Sequence, residues 1–309
     1  MTEEKIMANT SFVGPVRSKN NYKLYSTTAS TGVEHDRTMG DPAKDARRYY
    51  LEEWFTKKPG LNAVAIIDPD ADSASALAAY VIANKDFETL GTNMTTALTT
   101  FSATHGGILM TTAGADQDQA ILLPHLDTNQ TAWSGTQWGT ENSVEWECSI
   151  SLPAIDNQKV WAGLKLTNDQ LVATDANQIF FKFQTDATNS EAFSDYSYWH
   201  LVHSIGGTDY ISQIPVTVAA DTPYHLKISI GSDRKATCFI NGVQYNVTST
   251  SGSTGGTAVT AVQPGVAAAK TAALTNDTDL IPYIGIEAGA AAAEAINVHY
   301  TAISRHVFE

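Results

Sequence analysis

The sequence predicts an all-β protein built as an antiparallel β-sandwich. Apolar and polar residues alternate without a break over 143–152, and this period of two is typical of a strand with one buried face. Asn241-Gly242 lies between two apolar runs and predicts a two-residue hairpin, because both positions accept a positive φ. Short apolar runs recur between turn residues from residue 84 onward, a spacing typical of sandwiches and barrels.

Most of the chain after residue 60 is predicted to form strands. Gly206-Gly207 joins two of them into a hairpin. A Ser/Thr/Gly/Ala-rich segment at 249–279 is too long for an ordinary hairpin loop, so it either packs flat against a neighbour or forms flexible surface loops. The predicted strands besides 143–152 are 63–67, 108–110, 121–123, 160–166, 179–183, 198–205, 210–213, 224–230, 235–240, 243–247 and 296–300.

The first 60 residues predict a different structure, an extended arm followed by one short helix. Residues 9–40 are polar and show no periodicity, which is typical of an extended arm. Asp41-Pro42 can cap and begin a helix, and Pro59-Gly60 can end it. We therefore expect a helix over about 42–57, which either anchors the arm or packs on the chain's own sandwich.

The chain divides accordingly into an anchoring arm at 1–60 and a sandwich domain at 61–309, whose best-defined strands lie at 143–305. Residues 1–60 hold ten Lys and Arg against eight Asp and Glu, the remainder holds nine against twenty-five, and the net charge is -14. An acidic body argues against nucleic-acid binding. A basic arm suits docking on an acidic partner, although an ordinary solvated leader has the same composition.

Targeting signals and cysteines limit the environment of the protein. No apolar run approaches the roughly 20 residues of a membrane helix, and Met1–Ile6 lacks the apolar core of a secretory signal. We therefore expect no membrane partner and a chain that stays inside the producing cell unless an assembly carries it out. Cys148 and Cys238 fall on the apolar phase of predicted strands, which favours buried free thiols over a disulfide.

One block of sequence resembles a known superfamily. It runs from Thr222 to Val243 as TPYHLKISIGSDRKATCFINGV, a strand, a turn and a second strand that closes on Ile-Asn-Gly. This resembles a signature of concanavalin A-like, laminin-G-like jelly rolls. The last strands, 280–289 and 295–305, are similar to the closing strands of such sandwiches in structural proteins of tailed bacteriophages. The resemblance covers roughly 86–305 and implies a jelly-roll fold, which lectins, glycosidases and inert structural modules share.

The resemblance implies a virion structural protein of the capsid decoration (cement) type. It implies the major capsid protein as partner, self-association as a trimer or dimer, and a location on the capsid surface after synthesis in the host cytoplasm. The arm would bind the capsid through apolar burial and charge. The residues expected to make this contact are Phe12, Val13, Arg17, Lys19, Tyr22, Lys23, Tyr25, Arg47, Arg48, Tyr50 and Trp54.

An alternative is a glycan-binding module of a phage head or tail fibre, with host-surface glycans as ligands. Sugars stack on exposed aromatic rings, and the candidate rings belong to Trp133, Trp138, Tyr198 and Trp199. Aromatic residues near strand ends also serve as core or interface residues, so both interpretations stay open.

A sandwich-fold glycosidase is the second alternative. Glycosidases of the resembled superfamily carry Glu-x-Asp-x-Glu on one strand, and the nearest match here is Glu145-Trp146-Glu147. Retaining hydrolysis needs two carboxylates about 5–5.5 Å apart, and two residues on a strand share a face when they are two positions apart. The middle Asp is Trp146 and the third carboxylate is replaced by Ser149. The solvent face of an antiparallel strand explains both glutamates without chemistry, so we expect no catalytic residue and no enzymatic activity.

No cofactor or metal site is predicted, with calcium as the one candidate ion. Asp68, Asp70 and Asp72 have the opening spacing of an EF-hand loop. Ser73 and Ala79 stand where such a loop needs Gly and Glu, which favours a Pro/Asp turn.

Overall fold

A computed structural model describes residues 25–27, 34–36, 48–61, 84–103, 106–124, 138–186, 191, 193, 195–252 and 254–306. Within them the chain forms one 3-10 turn, Thr96–Leu98, and nineteen strands. No helix of this described part is long and apolar enough to span a membrane. In chain order the strands are β1 (Tyr25–Thr27), β2 (Glu34–Asp36), β3 (Arg48–Glu53), β4 (Pro59–Leu61), β5 (Asn84–Leu90), β6 (Thr99–Phe101), β7 (Ile108–Thr111), β8 (Gln119–Pro124), β9 (Glu145–Ser151), β10 (Gln158–Lys165), β11 (Gln178–Gln184), β12 (Tyr198–Ile205), β13 (Thr208–Thr217), β14 (Tyr224–Ile230), β15 (Ala236–Ile240), β16 (Val243–Tyr245), β17 (Thr257–Ala258), β18 (Ile281–Ala288) and β19 (Ala295–His306).

Two large sheets form the sandwich. Over the described ranges the larger sheet has nine strands in the order β17-β13-β12-β11-β10-β18-β8-β5-β4. The smaller sheet runs β16-β15-β14-β9-β19-β7-β6, and β3 also pairs with β19. Neighbouring strands are antiparallel except at the edges of the larger sheet, where β17 and β4 pair in parallel. The predicted all-β, antiparallel jelly-roll sandwich is confirmed.

The alternation predicted from the sequence builds the core between the sheets. Trp146 of β9 lies beside Ile228 of β14 and Ile303 of β19, and all three are buried. Trp199 of the larger sheet packs edge-on against Tyr224 of the smaller sheet, with 5.8 Å between ring centroids. The two sheets therefore share one apolar layer, as expected when each presents the apolar half of an alternating pattern.

Two loop predictions concern the chain after β15. Asn241 and Gly242 have φ values of 51° and 79° and join β15 to β16, so the predicted hairpin is confirmed. The long segment at 249–279 contacts the sandwich edge: the Ala236 backbone N–H donates to Thr271 Oγ1 at 2.8 Å, and Leu274 is buried. This part of the segment therefore packs on the chain's own sandwich.

The helix predicted over about 42–57 is wrong for 48–57, the part that the structure describes. Residues 48–53 form β3, which pairs with β19 from Glu53↔Thr301 to Arg48↔His306. The free edge of β19 satisfies the backbone groups of this segment, and Leu51 packs against the core. β4 then adds to the edge of the larger sheet beside β5. Residues placed in the arm by sequence thus supply strands to both sheets, which puts the start of the sandwich before the predicted boundary at residue 60.

Candidate functional site

The smaller sheet buries one face in the core and turns its other face to solvent. Burial alternates residue by residue along β9 and β14, so every second side chain points outward. We call this outward surface the open face. Its charged and aromatic members include Arg48, Tyr50, Glu52, Trp54, Glu145, Glu147, His225, Lys227 and Tyr300.

One row of the open face crosses the sheet from β3 to β14. Glu52 of β3 and Glu147 of β9 are both register partners of Ala302 on β19. Lys227 of β14 is the register partner of Glu147 on the other side. Ala302, which lies between the two glutamates in the register, contributes only a methyl group to this row.

Glu147 is at the centre of the polar contacts. The Tyr300 hydroxyl donates to Glu147 Oε1 at 2.8 Å, and His225 Nε2 lies 3.6 Å from Glu147 Oε2. Lys227 turns away from its register partner, since its Nζ lies 3.1 Å from Glu145 Oε2. The one ammonium group of the row thus pairs with Glu145 and leaves Glu147 to a phenol and an imidazole.

Trp54 supplies an exposed ring beside these carboxylates. Its side chain is 60% exposed, and its ring lies 4.4 Å from that of Tyr300, tilted by 39°. The indole Nε1–H donates to Glu52 Oε1 at 2.5 Å. One ring contact and one hydrogen bond therefore hold the indole in place while its outer surface stays in solvent.

The environment sets the protonation of two groups on this face. Burial raises the pKa of the Tyr300 phenol well above its usual range, and the charges of Glu147 and Glu52 add to the increase. The phenol therefore acts as a hydrogen-bond donor. Burial lowers the pKa of His225, against the opposing effect of Glu147, so its imidazole is uncharged at neutral pH.

The outward side of the larger sheet is arranged differently, because loop segments lie over it. We call its residues on the three central strands β10, β11 and β12 the covered face, and each is at most 1% exposed. Gln170, Val172 and Asp175 of the loop after β10 contact it, as do Glu191 and Phe193 after β11. Its members are Lys159, Trp161, Lys165, Gln178, Phe180, Lys182, Gln184, His200 and Val202.

Each lysine of the covered face contacts a carboxylate. An ammonium group stripped of water is strongly unfavourable without such a partner. Except for Glu287 on β18, these carboxylates belong to the segments that lie over the sheet. The covering segments therefore neutralise the lysine charges of the sheet. The pairs are Lys159–Glu287 at 2.7 Å, Lys159–Asp186 at 3.2 Å, Lys165–Asp175 at 3.5 Å and Lys182–Glu191.

Burial also shifts the protonation of the covered face. It lowers the pKa of Lys165 to about 8 and that of His200 to about 4. Burial would lower the pKa of Lys159 as well, but hydrogen bonds to Glu287 and Asp186 outweigh it and raise the value. The His200 ring stacks on Phe193, with 4.3 Å between the ring centroids. The neutral imidazole is therefore a packing group.

Several residues expected in a capsid-binding arm belong to the sandwich. Arg48 Nη2 donates to Ser304 Oγ at 2.8 Å and to the Ser143 carbonyl at 3.0 Å. Tyr50 is the register partner of Ser304, and Trp54 is part of the open face. Tyr25 lies in β1, for which only the backbone is described. The remaining arm residues, which lie outside the described part of the chain, are Phe12, Val13, Arg17, Lys19, Tyr22, Lys23 and Arg47, so capsid binding stays a prediction.

Two of the four predicted glycan-stacking rings are buried. Trp138 is 4% exposed and Trp199 is 0% exposed, because both pack in the core between the sheets. A buried ring offers no surface to a sugar, which corrects the expectation for these two residues. Tyr198 is partly exposed at the start of β12, and Trp133 lies outside the described residues.

Sequence reasoning missed the grouping of the open face and the lysines of the covered face. The sequence predicts a helix that includes 48–57 and therefore assigns Trp54 to the arm, far from Tyr300. The lysines give a weak signal in the sequence: Lys165 and Lys182 each interrupt an otherwise apolar run. Such a position on a strand buried on both faces indicates a paired buried charge.

Metal ligation and thiol chemistry find no support in the described residues. No group of three or more His, Cys, Asp or Glu side chains there is placed to hold a metal ion. The aspartates at 68–72 lie outside this part of the chain, so calcium binding is an untested prediction. Cys148 and Cys238 are free and buried, as predicted, and burial raises the pKa of the Cys238 thiol to about 12.

Solved structures of similar fold include carbohydrate-active and carbohydrate-binding proteins. A family 7 alginate lyase, A1-II', is 13% identical over 70% of this chain and 84% of its own, with a TM-score of 0.41. A putative β-glucanase from Mycobacterium abscessus is 8% identical over 82% and 98%, with a TM-score of 0.44. The carbohydrate recognition domain of Emp46p is 6% identical over 76% and 92%, with a TM-score of 0.40. At these identities the likeness concerns the fold alone. No protein-family model and no curated protein sequence matches the chain.

These structures correct two sequence-based expectations. The statement that the protein has no enzymatic activity is contradicted, since the fold is shared mainly with proteins named as glycoside hydrolases and alginate lyases. The fold part of the resemblance, a concanavalin A-like jelly roll, agrees with the lectin, glycosidase and lyase neighbours. Nothing in them indicates a phage origin.

Proposed function

We propose that the protein is a carbohydrate-binding sandwich whose ligand lies on the open face. The observation that carries this proposal is the 60% exposed ring of Trp54, held over Tyr300 at 4.4 Å. An indole held between a second ring and a hydrogen-bonded carboxylate loses little conformational entropy when a ligand covers it. It therefore provides a preorganised flat surface.

The surroundings of Trp54 match the chemistry of a sugar ring. A pyranose has an apolar face of C–H groups that can pack on an aromatic ring, and hydroxyl groups at its rim. The rim would meet the carboxylates of Glu52 and Glu147, which accept hydrogen bonds, and the uncharged imidazole of His225, which can donate or accept. Because Ala302 carries only a methyl group, a chain of sugars would have room to continue across the sheet at this position.

The proposal is tested by binding of the full chain to an array of immobilised neutral, amino and uronic-acid oligosaccharides. Positive sugars are then titrated in solution against Trp54→Ala. We expect about tenfold or greater loss of affinity, because stacking of one aromatic ring contributes on the order of 1–2 kcal/mol. Phe101→Ala is the matched control, since Phe101 is 53% exposed on the β6 edge of the same sheet. If the protein binds no sugar on the array, or if both variants lose the same affinity, the proposal is refuted.

Hydrolysis of a bound glycan is a second candidate function for the same face. Glu145 and Glu147 point outward from one strand, two positions apart, so both carboxylates are presented on one surface, and hydrolysis by two carboxylates needs them on one surface. Release of reducing ends from a panel of polysaccharides measures this activity. Loss of release in both Glu145→Gln and Glu147→Gln would support it, and unchanged rates in both would eliminate it.

Attachment to a virion through the N-terminal residues is a separate proposal. It rests on the basic composition of residues 1–60. Because β3 begins at Arg48, removal of residues 1–47 spares the strands of the sandwich from β3 onward. Cosedimentation of the truncated and full chains with capsids tests the proposal, and equal incorporation of both would overturn it.

A further inference from the structure

We propose that the open face selects cationic amino sugars, such as oligosaccharides of glucosamine, over neutral and uronic-acid sugars. This inference rests on the proposed carbohydrate-binding function and specifies the charge of its ligand. It follows from how the charges around Trp54 are paired.

In the described part of the chain, no Lys or Arg side chain forms an ion pair with Glu147. On β14, His225 and Lys227 flank it. The Lys227 ammonium lies 3.1 Å from Glu145, and the His225 imidazole at 3.6 Å is uncharged at neutral pH. The Tyr300 hydroxyl donates one hydrogen bond without adding charge. The negative charge of Glu147 is therefore available to a ligand.

Glu52 adds a second carboxylate on the other side of β19. Its Oε1 accepts the Trp54 indole N–H, which again is a neutral donor. Glu52 and Glu147 are two strands apart, about 10 Å between backbones at the usual strand spacing, with Ala302 between them. This separation is on the scale of one to two sugar units, so successive amino groups of an oligomer can reach both carboxylates.

The ring of Trp54 favours the same ligand charge. The face of an indole carries the negative part of its quadrupole and attracts cations, most strongly among the aromatic side chains. An ammonium group beside the ring would also gain charge-assisted hydrogen bonds to a carboxylate, which are roughly twice as strong as neutral ones. The body of the protein after residue 60 has twenty-five acidic and nine basic residues, so its long-range field also draws cationic ligands.

An acidic sugar meets the opposite situation. Lys227 is the basic group of the central row, and binding a uronate there would require breaking its contact with Glu145. The uronate would then lie between three glutamates, Glu52, Glu145 and Glu147. Repulsion at these distances exceeds the gain from one partly exposed lysine.

Calorimetric titration of the full chain with three hexasaccharides tests the inference: glucosamine, N-acetylglucosamine and a uronic acid. We expect the glucosamine hexamer to bind about tenfold more tightly than its N-acetylated form, which has the same backbone without the charge. In Glu147→Gln and Glu52→Gln this ratio should fall toward one. Asp233→Asn is the control, because Asp233 is an exposed carboxylate on the β14–β15 turn, and it should keep the wild-type ratio.

The outcomes separate the inference from the proposed function. Equal binding of the glucosamine and N-acetylglucosamine hexamers, or tighter binding of the uronic acid, overturns the inference and leaves carbohydrate binding intact. Glucosamine binding that is unchanged in Trp54→Ala reflects the acidic body in general and also overturns it. Binding of none of the hexamers, by protein whose far-ultraviolet circular dichroism shows β-structure, overturns both.

Discussion

The open face and the covered face carry the same kinds of side chains in opposite environments. On the covered face, Lys159 and Lys182 are at most 1% exposed and contact carboxylates of the overlying segments. On the open face, the side chains of Lys227 and Glu145 are 22% and 39% exposed. Both faces also place a histidine beside these groups, His200 on one and His225 on the other.

The difference decides what a charged pair can do. A buried pair is expensive to break, because separation leaves an unsolvated charge behind. A partly exposed pair contributes about 0–1 kcal/mol and exchanges partners cheaply with water or a ligand. The covered face therefore uses its charges to hold loops on a sheet, whereas the open face keeps its charges free to meet a ligand.

The largest predicted effect comes from removing a buried ammonium group. Lys159→Met leaves Glu287 and Asp186 without their shared cation, and we expect a loss of about 3–5 kcal/mol in the free energy of unfolding. Urea denaturation measures it. The matched variant on the open face, Lys227→Met, should lose no more than about 1 kcal/mol. Equal losses in the two variants would show that a buried charged pair on the covered face is no more costly to break than the exposed pair on the open face.

Acid sensitivity is the second test, and it concerns the two buried histidines of β12. Burial lowers the pKa of both His200 and His203 to about 4 from the ordinary 6.5. Between pH 6.5 and pH 4 the unfolded chain thus binds more protons than the folded chain, so stability falls as pH falls through this window. From pH 7.0 to pH 5.5 we expect a loss of about 1 kcal/mol for each histidine.

Urea denaturation at several pH values measures this dependence. In the double variant His200→Phe/His203→Phe, the slope of unfolding free energy between pH 7.0 and 5.5 should be much shallower than in the wild type. The slope is compared instead of the absolute stability, because the substitutions alter packing as well. An identical slope in the two proteins would contradict neutral burial of these imidazoles.

A smaller effect is expected from crowding the covered face. A Cβ atom at Gly285 would lie 2.3 Å from two carbon atoms of the Trp161 ring, and that ring is fully buried. Gly285→Ala should therefore cost about 1–3 kcal/mol through overpacking. Gly252→Ala is the control, because its nearest heavy atom outside the adjacent residues lies at 4.0 Å. Thermal denaturation of both variants gives the comparison.

The smallest stability effect is predicted for the open face itself. Trp54→Ala should change the free energy of unfolding by less than about 1 kcal/mol, because most of the ring is already in solvent. Chemical denaturation of this variant, carried out alongside the glycan titrations, measures its free energy of unfolding. A loss as large as that of Lys159→Met would mean that Trp54 serves the fold more than a ligand.

The fold was predictable because its signals are local and periodic. The alternation at 143–152 and the Asn241-Gly242 hairpin each depend on neighbouring residues, and both are confirmed. The segment at 48–53 was misassigned because its strand depends on an edge of β19 some 250 residues away, and no local pattern shows that edge. Propensity favours neither state strongly for such a short segment, so the tertiary partner decides.

The candidate site was harder to predict for the same reason. Glu145 and Glu147 could be placed on one outward face from their spacing alone. Their grouping with Trp54 and Tyr300 requires the register of β3, β9 and β19, which the sequence does not contain in readable form. Trp138 and Trp199 illustrate the converse error, since the sequence shows an aromatic residue but not which layer of the sandwich it faces.

The pairing of β3 with β19 also determines how the protein responds to mechanical force. Arg48 at the first residue of β3 is the register partner of His306 at the last residue of β19. The chain therefore enters and leaves this part of the sandwich at one corner. Tension applied between these two points would open the hydrogen bonds of the pair one after another, as in a zipper, instead of loading them together. If residue 48 is pulled while the opposing load is distributed over the open face, the hydrogen bonds are no longer loaded from one end. Opening the β3–β19 pair is then harder.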